Sequence, residues 1–202
     1  VYAIAFDYGQ RHSIELESAK VLCAKYNIPL KIIKLDFFGD VVKSALIGKD
    51  LDINEAADRV QSESVSSAFV PNRNTLFLTI THAYAQTIKA GVIYTGVCQM
   101  DEAGFPDCRN SFIESIQTAL NLGAETAIDI ITPLMFRTKG ETFQLADECG
   151  CLDDVINISH TCYEGNHSLK HEWGFGCGEC PSCKVRKEGY QEYLKMKESS
   201  VA

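Results

Sequence analysis

The stretch YAIAFDYGQRH, Tyr2–His12, sets a short apolar run directly against a polar, glycine-containing turn. Tyr2–Phe6 reads as a buried strand, because β-branched and aromatic residues run together without the three-to-four spacing of a helix. The same arrangement recurs in LKIIKL (Leu30–Leu35), VIYTGV (Val92–Val97) and IDIIT (Ile128–Thr132). Helical patterns separate these runs. Ala19, Leu22, Cys23 and Tyr26 form one apolar stripe, and Phe77, Ile80, Tyr84 and Ile88 form another. SFIESIQTALNLG is a third helix, ended by Gly123. TKGETFQLADECG is a fourth, opened by the capping-box pair Thr138 and Glu141 and closed by Gly150. Strands alternating with helices predict an α/β fold: a parallel sheet covered on both faces, three layers in all. Ligands of such sheets bind beyond the carboxyl ends of the strands. The residues to inspect are therefore Asp7–His12 and the segment CQMDEAGFPDCRN after Val97. The polar, acidic segment from Ile47 to Ala68 reads as an insertion or lid.

The 202 residues suffice for one large domain with a small appendage, and an apolar fraction of 46% is ordinary for a globular core. A formal net charge of -8 argues against nucleic-acid binding through a broad basic face. No run is long enough to span a membrane, and nothing in these 202 residues reads as a signal peptide. Nine cysteines without such a signal point to a reducing compartment, hence the cytoplasm, and the odd count argues against a complete disulfide framework.

Four of those cysteines are patterned. Cys177, Cys180 and Cys183 stand at two successive C-x-x-C steps, and Cys162 precedes them. Four thiolates suit tetrahedral zinc, and a closed four-sulfur shell marks a structural site rather than a catalytic one. Gly176 and Gly178 permit tight turns between ligands, and Pro181 stiffens the second turn. An iron–sulfur cluster is the rival occupant. His160, His167 and His171 lie nearby but are surplus to a filled shell. Cys23, Cys98, Cys108, Cys149 and Cys151 show no ligand spacing. The chain accordingly divides into an α/β domain over 1–158 and a zinc-binding segment with a C-terminal helix over 159–202.

The segments FDYGQRH, FVPNRNTLFL, GVCQMDEAGFPDCRNSFIES and TPLMFRTKGETFQLA, followed in order by the four cysteines, resemble the 7-cyano-7-deazaguanine synthase family. That family belongs to the PP-loop ATPases, of the adenine nucleotide alpha hydrolase-like type. The resemblance implies conversion of 7-carboxy-7-deazaguanine to its nitrile with ammonia and ATP–magnesium, through adenylation of the acid and then of the amide. It also implies small-molecule partners only, with no membrane or direct nucleic-acid contact, and leaves room for a homodimer.

Against that chemistry the residues take roles. A guanine-like base presents adjacent N–H donors, which a carboxylate accepts in pairs, so Asp107 or Asp101 is expected there. Asp107, in PDCR, is preferred. The competing role is an N-cap for the helix beginning near Asn110. The substrate carboxylate calls for a guanidinium, from Arg109 or Arg73. Arg73 opens a helix, where a cation is disfavoured unless an anion is bound. Phe6 and Asp7 are expected beside the adenine, with Gln10 and Arg11 lining the substrate side. Lys139 starts a helix whose free N–H groups suit phosphate, and its charge would stabilise departing pyrophosphate.

One family feature is missing from these 202 residues: the S-G-G-x-D-S loop whose backbone N–H groups grip pyrophosphate. The chain also starts at Val1, within an apolar run. The expectation is that the natural protein carries a strand, loop and helix before Val1. That strand would separate Tyr2–Phe6 from Ile93–Val97, so these two should share no ladder, and the 202 residues alone should bind ATP poorly. Two readings compete: a loopless, inactive zinc-braced module that binds a deazapurine or a partner, and a PP-loop tRNA-sulfur transferase. The latter needs a basic RNA face and a redox-active or cluster-holding cysteine pair.

Overall fold

The computed structural model describes residues 1–42, 44–47, 68–99 and 105–201. Of the expected insertion or lid (Ile47 to Ala68), residues 48–67 lie outside the described residues, as does Asp101. Contacts divide the chain into two units, Val1–Glu55 with Thr138–Ala202, and Ala56–Arg137.

In the first unit β1 (Ala3–Asp7) runs parallel to β2 (Leu30–Lys34), in register from Ala3 opposite Leu30 to Asp7 opposite Lys34. Helix α1 (Ile14–Lys25) connects them, with Glu15 and Glu17 in its first turn and Lys25 in its last, as the helix dipole favours. Its stripe is rotated from the expectation: Leu16 and Cys23 are buried, whereas Tyr26 lies 49% exposed. Tyr26 is held outward because its hydroxyl donates to Asp154, which also accepts from Lys25. A short helix, α2 (Phe38–Val41), follows β2.

The later half of this unit comprises helices α5 (Lys139–Glu148) and α6 (Leu152–Asn157), a two-residue antiparallel pair, and the terminal helix α7 (Pro181–Val201). The capping box at Thr138 and Glu141 is present, and Gly150 takes the left-handed φ of +68 beyond α5. α5 packs on α7. Phe143 meets Tyr190 edge to face at 5.4 Å, the Tyr193 hydroxyl donates to Asp147 at 2.7 Å, and the Thr138 hydroxyl donates to Glu192 at 2.7 Å.

Asp154 couples stability to pH. The Lys25 ammonium and then the Tyr26 hydroxyl, bonded to its carboxylate, hold it below the ordinary carboxylate range. A folded-state value below the unfolded one stabilises above about pH 4 and is lost as pH falls through the depressed value. Thermal melts of Asp154→Asn should therefore fall below wild type at neutral pH, with the gap closing under acid. A gap that stays constant from neutral pH to about pH 3 would show that the charge of Asp154 is irrelevant.

The second unit holds helix α3 (Arg73–Thr87), strand β3 (Val92–Tyr94), a 3-10 turn at Pro106–Cys108, helix α4 (Asn110–Ala124) and strand β4 (Asp129–Ile131). β3 and β4 are parallel, and their core joins Leu78, Ala85, Ile93, Ile113, Ile128, Ile130 and Met135. β3 is shorter than expected. The last bond along it, Thr95 N–H to Ile131 carbonyl, precedes Pro133, which has no N–H to extend the ladder. Gly123 does not end α4; the left-handed residue is Glu125, at φ +50. The Asn121 side chain wins that competition, since it bonds both backbone groups of Ile128 (2.9 and 3.0 Å) and receives the Thr126 hydroxyl at 2.9 Å. His82, buried at 3% exposure, completes this network with bonds of 3.2 Å to both Asn121 and Thr126.

Among the described residues β1 ladders only with β2 and β3 only with β4. No described helix is long and apolar enough to cross a membrane.

Candidate functional site

The four patterned cysteines converge. The sulfurs of Cys162, Cys177, Cys180 and Cys183 all lie within 4.8 Å of one another, and three of these residues are buried to 2% exposure or less. Zinc–sulfur bonds of ~2.3 Å in a tetrahedron imply sulfurs ~3.8 Å apart; Cys177 and Cys183 stand 3.9 Å apart. The two glycines have distinct jobs. Gly178 adopts φ +83, and a Cβ on Gly176 would come within 2.6 Å of the Cys183 sulfur. Backbone N–H groups point at sulfur: Cys180 and Glu179 donate to Cys177 at 3.3 and 3.4 Å, and Cys177 donates to Cys162 at 3.4 Å. Burial lifts the Cys177 thiol, but these donors outweigh it and bring it to about 7. Burial dominates at Cys180 and Cys183, whose thiols are pushed up. Such thiols ionise together only around a cation, so the donor set fits a thiophilic metal ion. All nine cysteines are free of disulfides.

The histidines stay outside the shell. His171 stacks on Trp173 at 4.4 Å and bonds the Gly176 carbonyl at 3.1 Å, and His160 and His167 face each other at 3.3 Å. They connect instead to the loop after β1. His12 pairs with Glu15 at 3.1 Å and lies edge-on to His160, while Arg11 reaches Glu164 at 3.8 Å. The thiolate segment thus braces the loop at the carboxyl end of β1. Within that loop the Gln10 amide accepts the Tyr8 N–H (2.8 Å) and donates to the Phe6 carbonyl (3.2 Å), closing its own turn. Phe6 and Asp7 are half-buried in β1.

Lys139 begins α5 as expected, but an anion is already seated at that helix start. Glu192 accepts the Gly140 N–H at 3.1 Å together with the Thr138 hydroxyl. The sequence offered no pointer to Glu192, which approaches from α7.

In the second unit Asp107 is 6% exposed. One carboxylate oxygen accepts the Asn74 N–H at 3.4 Å; the other, Oδ1, is buried without a hydrogen-bond partner among the described residues. Burial pushes this carboxyl up, against the pull of the Arg73 charge and the Asn74 N–H. The helix-cap alternative is corrected here: α4 is preceded by Arg109 with no side-chain cap, whereas Asp107 caps α3 across the unit. Asn74 fixes it there, its amide donating to the Asp107 carbonyl at 3.3 Å and accepting from Arg73 at 3.4 Å. The quoted segment FVPNRNTLFL contained Asn74, but a helix asparagine gives no sign of its long-range partner. Arg109 is exposed at the head of α4.

Parallel β–α–β pairing together with a four-sulfur donor set that could hold a metal ion defines an α/β protein with a cysteine-clustered terminal segment. The chain belongs to the family described as queuosine biosynthesis protein QueC, whose model matches residues 1–194. A 7-cyano-7-deazaguanine synthase of Helicobacter pylori strain HPAG1 is 48% identical over 193 residues, 96% of this chain and 84% of that protein. The like-named proteins of Wolinella succinogenes (45% identical, 96% of this chain and 82% of that protein) and Clostridium botulinum strain 657 (42%, 96% and 85%) are similar at comparable length. The family read from the quoted segments is therefore the right one.

Proposed function

We propose that the protein is an ATP-dependent carbon–nitrogen ligase that converts 7-carboxy-7-deazaguanine and ammonia to 7-cyano-7-deazaguanine. The observation that carries this is the similarity to synthases of that name, 48% identity with one of them across 96% of the chain. The proposed fold is the three-layer PP-loop type over 1–158, with the thiolate segment and terminal helix over 159–202, and the parallel pairs β1–β2 and β3–β4 support it. Zinc is the proposed occupant of the four sulfurs, in a bracing role, because a filled shell leaves no coordination position for substrate. ATP with magnesium is the proposed co-substrate, and the cytoplasm the proposed location.

Asp107 is assigned to the N–H edge of the deazapurine, since its buried Oδ1 lacks a hydrogen-bond partner among the described residues. Arg109 and Arg73 are assigned to the substrate carboxylate. Phe6 and Asp7 are placed beside the nucleotide base, and Gln10 and Arg11 shape the following loop on the substrate side. Lys139 is assigned to phosphate charge in both adenylation steps, where positioning and electrostatics rather than a nucleophile carry the rate.

The test is nitrile formation by the full gene product supplied with the acid, ammonium, ATP and magnesium, followed by mass spectrometry. The product is expected to be lighter than the amide by one water, with AMP accumulating. Binding of the acid without any amide or nitrile would favour the inactive module instead.

A further inference from the structure

Arg186 is an unusual cation. It sits on α7 one helical turn beyond Cys183 and is only 7% exposed. Its fork is fully used. Nε donates to the Trp173 carbonyl (2.8 Å), Nη1 to the Ser159 carbonyl and the Thr161 hydroxyl, and Nη2 to the Val155 carbonyl (2.6 Å) and the Ser159 hydroxyl (3.1 Å). Every acceptor is neutral, and no carboxylate pairs with it among the described residues. A guanidinium taken out of water needs an opposite charge nearby, or its burial is strongly destabilising. The groups it grips name the source of that charge. Thr161 precedes Cys162, Trp173 lies four residues before Cys177, and Arg186 shares a helix with Cys183. A divalent ion held by four thiolates carries a net double negative charge, which is itself costly to bury.

We infer that Arg186 is the built-in counter-charge of the metal–tetrathiolate centre, and that its five hydrogen bonds lock the three ligand-bearing segments in the metal-binding arrangement. The inference rests on the zinc reading above. Outer-shell partners of metal ligands typically change metal affinity ten- to a hundredfold, roughly, when removed.

The experiment uses the full chain as wild type, Arg186→Gln and Arg186→Lys. Zinc content is measured on purification, and zinc release is followed with a chromophoric chelator. Release from Arg186→Gln should be at least about tenfold faster than from wild type, with Arg186→Lys nearer wild type because its charge remains. In the cobalt(II)-substituted proteins the thiolate-to-metal charge-transfer band should move to lower energy in Arg186→Gln, since losing a nearby cation makes the sulfurs better donors. A purely structural clamp would not produce that shift. Arg186→Gln recovered only as aggregate beside a soluble, zinc-loaded Arg186→Lys also supports the charge requirement; failure of both to fold overturns it in favour of fork geometry alone. Wild type containing zinc that Arg186→Gln holds equally, with an unmoved band, overturns the inference and spares the zinc reading. Wild type without zinc overturns both.

Discussion

Cys180→Ala is expected to be recovered without stoichiometric zinc, with lowered solubility and a protease-sensitive segment around residues 160–180. Structural zinc in small peptides contributes ~10–16 kcal/mol of apparent folding free energy at neutral pH, far more than the net stability of an ordinary domain. Removing one of four sulfurs opens the shell and leaves buried thiols that burial pushes toward protonation. The β1 loop should loosen with it, because Arg11 and His12 lean on Glu164 and His160 in the same segment. Elemental analysis, limited proteolysis and sedimentation of the soluble fraction read these effects. Cys149→Ala, at an exposed cysteine outside the sulfur cluster, should keep its zinc. Stoichiometric iron in the wild type, or a disulfide within the set, would sink the zinc reading.

The second large effect is expected at Asp107. In Asp107→Asn one amide oxygen can still accept the Asn74 N–H, so α3 keeps its cap and the unit its shape. The other position becomes an N–H donor facing a donor edge of the substrate. A buried polar group left unpaired costs roughly 1–3 kcal/mol, so catalytic efficiency should fall about five- to a hundredfold. The melting temperature should change little. Steady-state kinetics of the full gene product read the loss, and unchanged kinetics would leave Asp107 as a helix cap alone.

Local patterns carried much of this molecule. The apolar runs at Tyr2, Leu30, Val92 and Ile128 became strands within a few residues of expectation, because side-chain periodicity and turn residues act over short range. The capping box at Thr138 and the C-x-x-C spacing acted the same way: each motif contains its own partners, or most of them. The family, too, was legible in short segments taken in order.

Other features required partners distant in the chain. Asp107 faces Asn74, thirty-three positions away, and so caps α3 rather than the helix beginning at Asn110. Glu192 reaches the start of α5 from fifty-two positions beyond Gly140 and occupies the N–H group that a phosphate was expected to meet. Gly123 looked like a helix stop, yet Asn121 bonding to Ile128 moved the stop to Glu125. Arg186 has no local sign of its five acceptors, which come from Val155, Ser159, Thr161 and Trp173. Short-range preference is worth only a fraction of a kcal/mol per residue, whereas a satisfied buried charge or carboxylate decides several. Strand positions and ligand spacing therefore followed from the residues themselves, and the fate of each buried charge was decided by the tertiary fold.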